Sequence, residues 1–90
     1  VGNEDADYDC PMEEIRLERG VAYYNLDSLN RAFHDIQFCI ERQFNLKLSY
    51  RFRGLIYAAA GKMENSCIDF QNAIQLGDTE SIARMKQYCK

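Results

Sequence analysis

Apolar and polar positions fall into five blocks separated by short polar turns, and capping residues stand at the boundaries. This pattern predicts helices over about 11–25, 29–43, 46–60, 63–76 and 79–89. Pro11 suits a first helical turn, and Glu13 and Glu14 then lie at the positive end of the helix dipole. Asp27-Ser28 and Asn45 are the predicted turn and N-cap residues of the second and third helices. Gly61 and Gly77 are predicted to end the third and fourth helices, and Asp78 or Thr79, with Glu80 in the turn behind, opens the fifth. The expected fold class is therefore all-α, built of antiparallel helix hairpins with no sheet.

The pattern also repeats. Shifting the chain by 34 residues superposes Arg19 on Arg53, Gly20 on Gly54, Tyr23 on Tyr57, Asp35 on Asp69, Gln37 on Gln71 and Ile40 on Ile74. Val21 falls on Leu55, Ala32 on Ser66, Ile36 on Phe70 and Cys39 on Ala73, all compatible in size. A fixed period of this length marks helical-hairpin units that stack side by side, an architecture used for binding more than for catalysis. Gly20 and Gly54 lie inside predicted helices, where glycine costs about 1 kcal/mol relative to alanine. Close helix packing is the expected compensation, with Ala32 and Ser66 as the small residues opposite and Tyr23 and Tyr57 filling the wider part of the contact. Gly20, Tyr23, Ala32, Gly54, Tyr57 and Ala73 are thus read as structural positions.

Composition narrows the picture. Ninety residues with no Trp, one Pro and 47% hydrophobic content suit a single small helical domain with a thin core. No stretch approaches the roughly 20 apolar residues of a membrane span. Residues 1–15 hold six acids and no base, whereas the remainder is mildly basic. Residues 1–10 are read as an acidic disordered tail ahead of a domain over 11–90, and they lack the bases of a targeting segment. A start at Val1 without Met leaves a processed or excised chain open. The bases of the body are scattered among acids, so no nucleic-acid surface is expected. Asp5-x-Asp7-x-Asp9 resembles the opening of a calcium loop, but Cys10 and Arg16 stand where the loop needs Gly and Glu.

Arg19-Gly20-x-Ala22-Tyr23-Tyr24-x-Leu26, followed by Ala32, Asp35 and Ile36, resembles a tetratricopeptide repeat. So does Arg53-Gly54-x-Ile56-Tyr57, followed by Gly61-Lys62, Asp69-Phe70, Ala73-Ile74 and Leu76. The resemblance covers about 13–78, with repeats over about 13–46 and 47–78 and a closing helix over 79–89. It departs at Asp27, where the family has Gly, and at Gln43-Phe44-Asn45, where the family has Asp-Pro-Asn. It implies a superhelix whose inner surface is formed by the first helix of each pair, here Leu17, Val21, Tyr24 and Asn25, then Leu48, Arg51, Leu55, Ala58 and Ala59. Periodicity alone leaves Leu17, Val21 and Leu55 equally readable as core. One subgroup grips C-terminal carboxylates with Lys and Asn at inner positions. Leu17, Val21, Leu48 and Phe52 occupy them here, which argues against that activity and leaves Arg51 to pair with a single acidic group.

Arg19 and Asp35, like Arg53 and Asp69, are 16 residues apart, a spacing that a hairpin brings together, so one structural ion pair per repeat is expected, with a bridge from one hairpin to the next left open. The four Cys, at 10, 39, 67 and 89, contain no paired metal-ligand spacing, and neither metal nor cofactor is expected. Cys67 and Cys89 are equidistant from the turn near 78, so an antiparallel pair of helices sets them side by side. A 67–89 disulfide and free thiols both remain open, depending on compartment: cytoplasmic if reduced, periplasmic or exported if oxidised. Cys39 is read as a small buried side chain and His34 as solvent-facing. No nucleophile, base or phosphate-binding motif accompanies these residues, so the chain is not expected to be an enzyme. The expected function is protein–protein interaction, with a peptide or helix of a partner protein held on the inner face. Self-association as one unit of a longer array is the second reading. A pentatricopeptide-like RNA binder is a third, disfavoured by the 34-residue period and the absence of a basic inner surface.

Overall fold

A computed structural model of the chain describes residues 12–89. The acidic tail over 1–10, Cys10 and Pro11 lie outside the described residues. Five helices follow in order: α1 (Glu13–Asn25), α2 (Leu29–Glu41), α3 (Leu46–Ala59), α4 (Met63–Gln75) and α5 (Glu80–Tyr88). No strand occurs among the described residues. Consecutive helices pack together, and α1 also touches α3, giving an all-α, repeat-like stack of two hairpins and a closing helix.

The first four helices end in the same way. In each, the second residue beyond the C-cap donates its N–H to a carbonyl five residues back: Ser28 to Tyr23, Phe44 to Cys39, Lys62 to Tyr57 and Asp78 to Ala73, at 2.8–3.0 Å. The residue just before it donates to the carbonyl three residues back, completing a Schellman motif each time. That motif needs one residue with positive φ, supplied by Asp27 (63°), Gln43 (55°), Gly61 (82°) and Gly77 (98°). The departures at Asp27 and at Gln43-Phe44-Asn45 therefore leave the turn geometry intact, while Asp27 and Gln43 place side chains in a conformation that favours glycine.

Helix starts are less uniform. Asn45 caps α3, accepting from the Leu48 N–H at 3.5 Å, whereas Ser28 is the α2 cap in position only, with no side-chain bond. Of the two candidates before α5, Asp78 does the capping: its carboxylate accepts from both the backbone N–H and the hydroxyl of Ser81.

The core runs along the hairpin interfaces. Leu17, Ala32, Ile36, Cys39 and Ile56 form one buried cluster, and Phe70 and Ala73 are fully buried in the second hairpin. The two helical glycines allow this approach, but mainly against other residues than expected. A Cβ on Gly20 would stand 2.8 Å from Ile36 Cδ1, and one on Gly54 2.8 Å from Phe70 Cε1. Ala32 is not among those nearest atoms. Ser66 does meet Gly54, by donating its hydroxyl to the Gly54 carbonyl at 2.7 Å. Tyr57 sets its ring edge-on to Phe33 with centroids 5.6 Å apart, joining the hairpins, and Tyr23 packs partly buried against the core.

Each repeat carries its ion pair. Arg19 donates two hydrogen bonds to Asp35 (2.8 and 2.9 Å) and Arg53 two to Asp69 (2.7 and 2.9 Å). This forked geometry suits guanidinium and carboxylate. Arg53 also donates to the Gln37 side chain at 2.7 Å, linking α3 and α4 to α2 of the preceding hairpin. Cys67 and Cys89 are joined by a disulfide, which tethers the end of α5 to α4. Cys39 is a buried free thiol, its pKa pushed up to about 11, chiefly by burial. His34 is exposed.

Candidate functional site

The first helices of successive hairpins, α1 and α3, leave a groove of about 400 Å³ between them. Glu14, Leu17, Glu18 and Val21 line it from α1, Phe44 and Asn45 from the turn after α2, and Leu48 from α3. The spacing of 14, 17, 18 and 21 puts these four side chains on one helix face. The αL residues Gln43 and Asn45 turn the chain so that Phe44 faces the same way. Val21, Phe44 and Leu48 are half-buried and offer apolar surface, while Glu14 and Glu18 are exposed at the rim.

The structure divides the residues assigned to the inner face. Val21 and Leu48 meet in the groove. Leu17 is only 6% exposed and belongs to the core cluster, so it is the groove's floor and not a free contact. Leu55, at 5% exposed, is likewise core, because the second helix of each hairpin closes behind these positions. Ala58 is also buried, whereas Ala59 is exposed. Tyr24 lies edge-on to Phe52 with centroids 5.9 Å apart, and its pKa is raised first by burial and then by the neighbouring Tyr88. Asn25 is exposed at the last position of α1 and does not line the groove.

Arg51 is the clearest correction. It was expected to pair with an acid on a ligand, but it donates two hydrogen bonds to Asp78, at 3.0 and 2.8 Å. That pairing raises the Arg51 pKa and lowers that of Asp78, whose carboxylate is held first by Arg51 and then by Ser81. The guanidinium is thus committed to the cap of α5. One repeat earlier the same two positions are Leu17 and Phe44, which line the groove. The second hairpin places an ion pair where the first places two apolar side chains.

A second cluster escaped the sequence reading. Arg16, 5% exposed, stacks its guanidinium over the Phe38 ring at 4.0 Å, and Arg42 stacks over the same ring at 4.5 Å. Cation–π contacts of this kind hold an aromatic ring that would otherwise be poorly covered. The 34-residue comparison carried no signal for it, because 16, 38 and 42 correspond to Tyr50, Asn72 and Leu76. A smaller groove of about 310 Å³ adjoins the cluster along α2. Among the described residues, no His, Cys, Asp and Glu side chains converge in a group of three or more able to hold a metal ion, and no helix is long and apolar enough to cross a membrane. No protein-family model, no curated protein and no solved structure matches the chain.

Proposed function

We propose that the chain is a non-enzymatic interaction module of the tetratricopeptide type, binding a peptide or helix of a partner protein in the groove between α1 and α3. The observation that carries this reading is the groove itself, where Val21, Phe44 and Leu48 leave apolar surface exposed between two helices. An apolar anchor entering such a cleft is a usual mode of helix and peptide recognition. The family resemblance supports the same surface, with its inner contacts reduced to Val21 and Leu48 from the original set. The test is retention of a partner from native extract by the folded chain, compared with Val21→Glu and Leu48→Glu variants of unchanged helicity. A partner kept by the first and lost by both variants supports the reading, and equal retention by all three rejects it.

Self-association remains the second reading because of one further observation. Tyr57 and Arg53 make the contact between hairpins, and Tyr23 and Arg19 stand at the same positions one repeat earlier. A further hairpin docked beside α1 would meet the same pair of residue types. Light scattering on the eluting peak of a gel-filtration column distinguishes the two, since a monomer at all concentrations argues against stacking.

A further inference from the structure

We propose that the α1–α3 groove selects a segment pairing an apolar side chain with two cationic ones, four residues apart on a helix or two apart in an extended chain. This rests on the groove being an interaction surface and adds the chemistry of its partner. Glu14 and Glu18 are one helical turn apart on the groove-facing side of α1, both exposed, directly above apolar Val21 and Leu48. Neither faces an arginine or lysine partner among the described residues.

A simpler account explains one of these acids and not the other. Glu14 lies in the first turn of α1, where the helix dipole favours it. Glu18 lies beyond that turn and four residues from a like charge, an arrangement that is mildly unfavourable on a helix. Its own i+3 and i+4 neighbours are Val21 and Ala22, which offer no compensation. The base nearest in the inner-face pattern, Arg51, is committed to Asp78. The groove is therefore apolar at its floor and negative at its rim. This sign disfavours carboxylate-bearing tails as occupants. Carboxylates four residues apart on a helix are separated by about 6 Å along its axis, the reach of two bases at i and i+4 on a facing helix. A space of about 400 Å³ is at the small end of ligand clefts and suits one short segment.

The test uses three labelled helix-forming peptides: one with a leucine stripe flanked by lysines four apart, the same peptide with glutamates for lysines, and the lysine peptide with serines for leucines. Binding is read by fluorescence anisotropy and located by amide shifts in NMR spectra of the folded chain. The lysine–leucine peptide should bind most tightly and shift Val21, Phe44 and Leu48. The exposed double variant Glu14→Gln/Glu18→Gln, checked for helicity, should weaken it about five- to tenfold, and added salt should do the same to the unaltered chain. Equal binding of lysine and glutamate peptides with shifts in the groove would overturn the charge selection and leave the interaction surface standing. Equal binding of the serine peptide would reduce the effect to surface charge and also overturn the proposal. Failure of every peptide to move the groove amides would remove the interaction surface itself.

Discussion

Gly54 and Gly20 occupy the same place in their repeats but stand against different side chains, so the same substitution should have different costs. At Gly54 a new methyl would meet the Cδ1–Cε1 side of the fully buried Phe70 ring, a rigid group. At Gly20 it would meet chiefly the terminal carbon of Ile36, the far end of a flexible side chain, although Ile36 is as fully buried as Phe70. Alanine gains about 1 kcal/mol of helix propensity at either site. Against that, overpacking costs about 1–3 kcal/mol. Gly54→Ala should therefore destabilise by about 1–2 kcal/mol, with Gly20→Ala closer to neutral, as measured by urea denaturation. The opposite change is expected at Gln43, whose φ of 55° strains a side chain in the left-handed region. Gln43→Gly should raise stability by about 0.5–1 kcal/mol. At this scale the glycines were legible from the repeat alone, but their opposing groups were not. The sequence indicates that a close approach exists, whereas the rotamers of Ile36 and Phe70 decide which atoms make it.

The closing helix α5 is held to the stack by an ion pair and a disulfide, beside the stacking of Tyr88 on Phe70. Asp78 receives Arg51 on one side and caps α5 through Ser81 on the other, while Cys67–Cys89 tethers the far end. Because the Asp78 carboxyl pKa is lowered in the folded chain, its contribution is complete above the unfolded value near pH 4. It is lost as pH falls through the folded value. An Asp78→Asn variant should be less stable than the parent by about 2 kcal/mol at neutral pH, and the two should converge in an acid titration followed by circular dichroism. Reduction of the disulfide releases the constraint on a loop of sequence separation 22, worth about 3 kcal/mol in the chain-entropy model. The melting temperature should fall on reduction, with intact mass rising by two hydrogens. A mass unchanged by reductant would rule out the bridge. The juxtaposition of Cys67 and Cys89 followed from their equal distance from one turn. The Arg51–Asp78 pair did not, since its repeat equivalents are Leu17 and Phe44 and no periodic signal marks it.

At the scale of the whole molecule, Arg53 couples the two hairpins by donating to Gln37 of the first while it holds Asp69 of the second. Arg53→Lys keeps the charge but loses the planar fork. It should lower the melting temperature and broaden the transition, as expected when neighbouring units of a stack lose their interface. An unchanged, equally sharp transition would show that apolar packing alone couples them. The five helices could be read from the apolar pattern and the repeat, and their ends in part: Gly61 and Gly77 mark two of them, whereas Gln43 carries no such signal and Ser28 makes no side-chain bond. The groove could be read only in part. Apolar periodicity is the same for a side chain facing the core and one facing a cleft, and only the position of α2 behind α1 separates Leu17 from Val21.

The four identical helix endings have a consequence for how such a chain can lengthen. The turns at 27 and 61 superpose in geometry, as do those at 43 and 77, each pair offset by one 34-residue period. A tandem duplication with both breakpoints at equivalent turns would preserve the reading of every helix end. It would also keep an Arg–Asp fork in each new unit and leave α5 at the end of the row. The helix endings thus let a hairpin be added in register, but the Arg51–Asp78 pair would not be copied with it: the Arg51 of an inner copy would face Phe44, so that one position would need a compensating change.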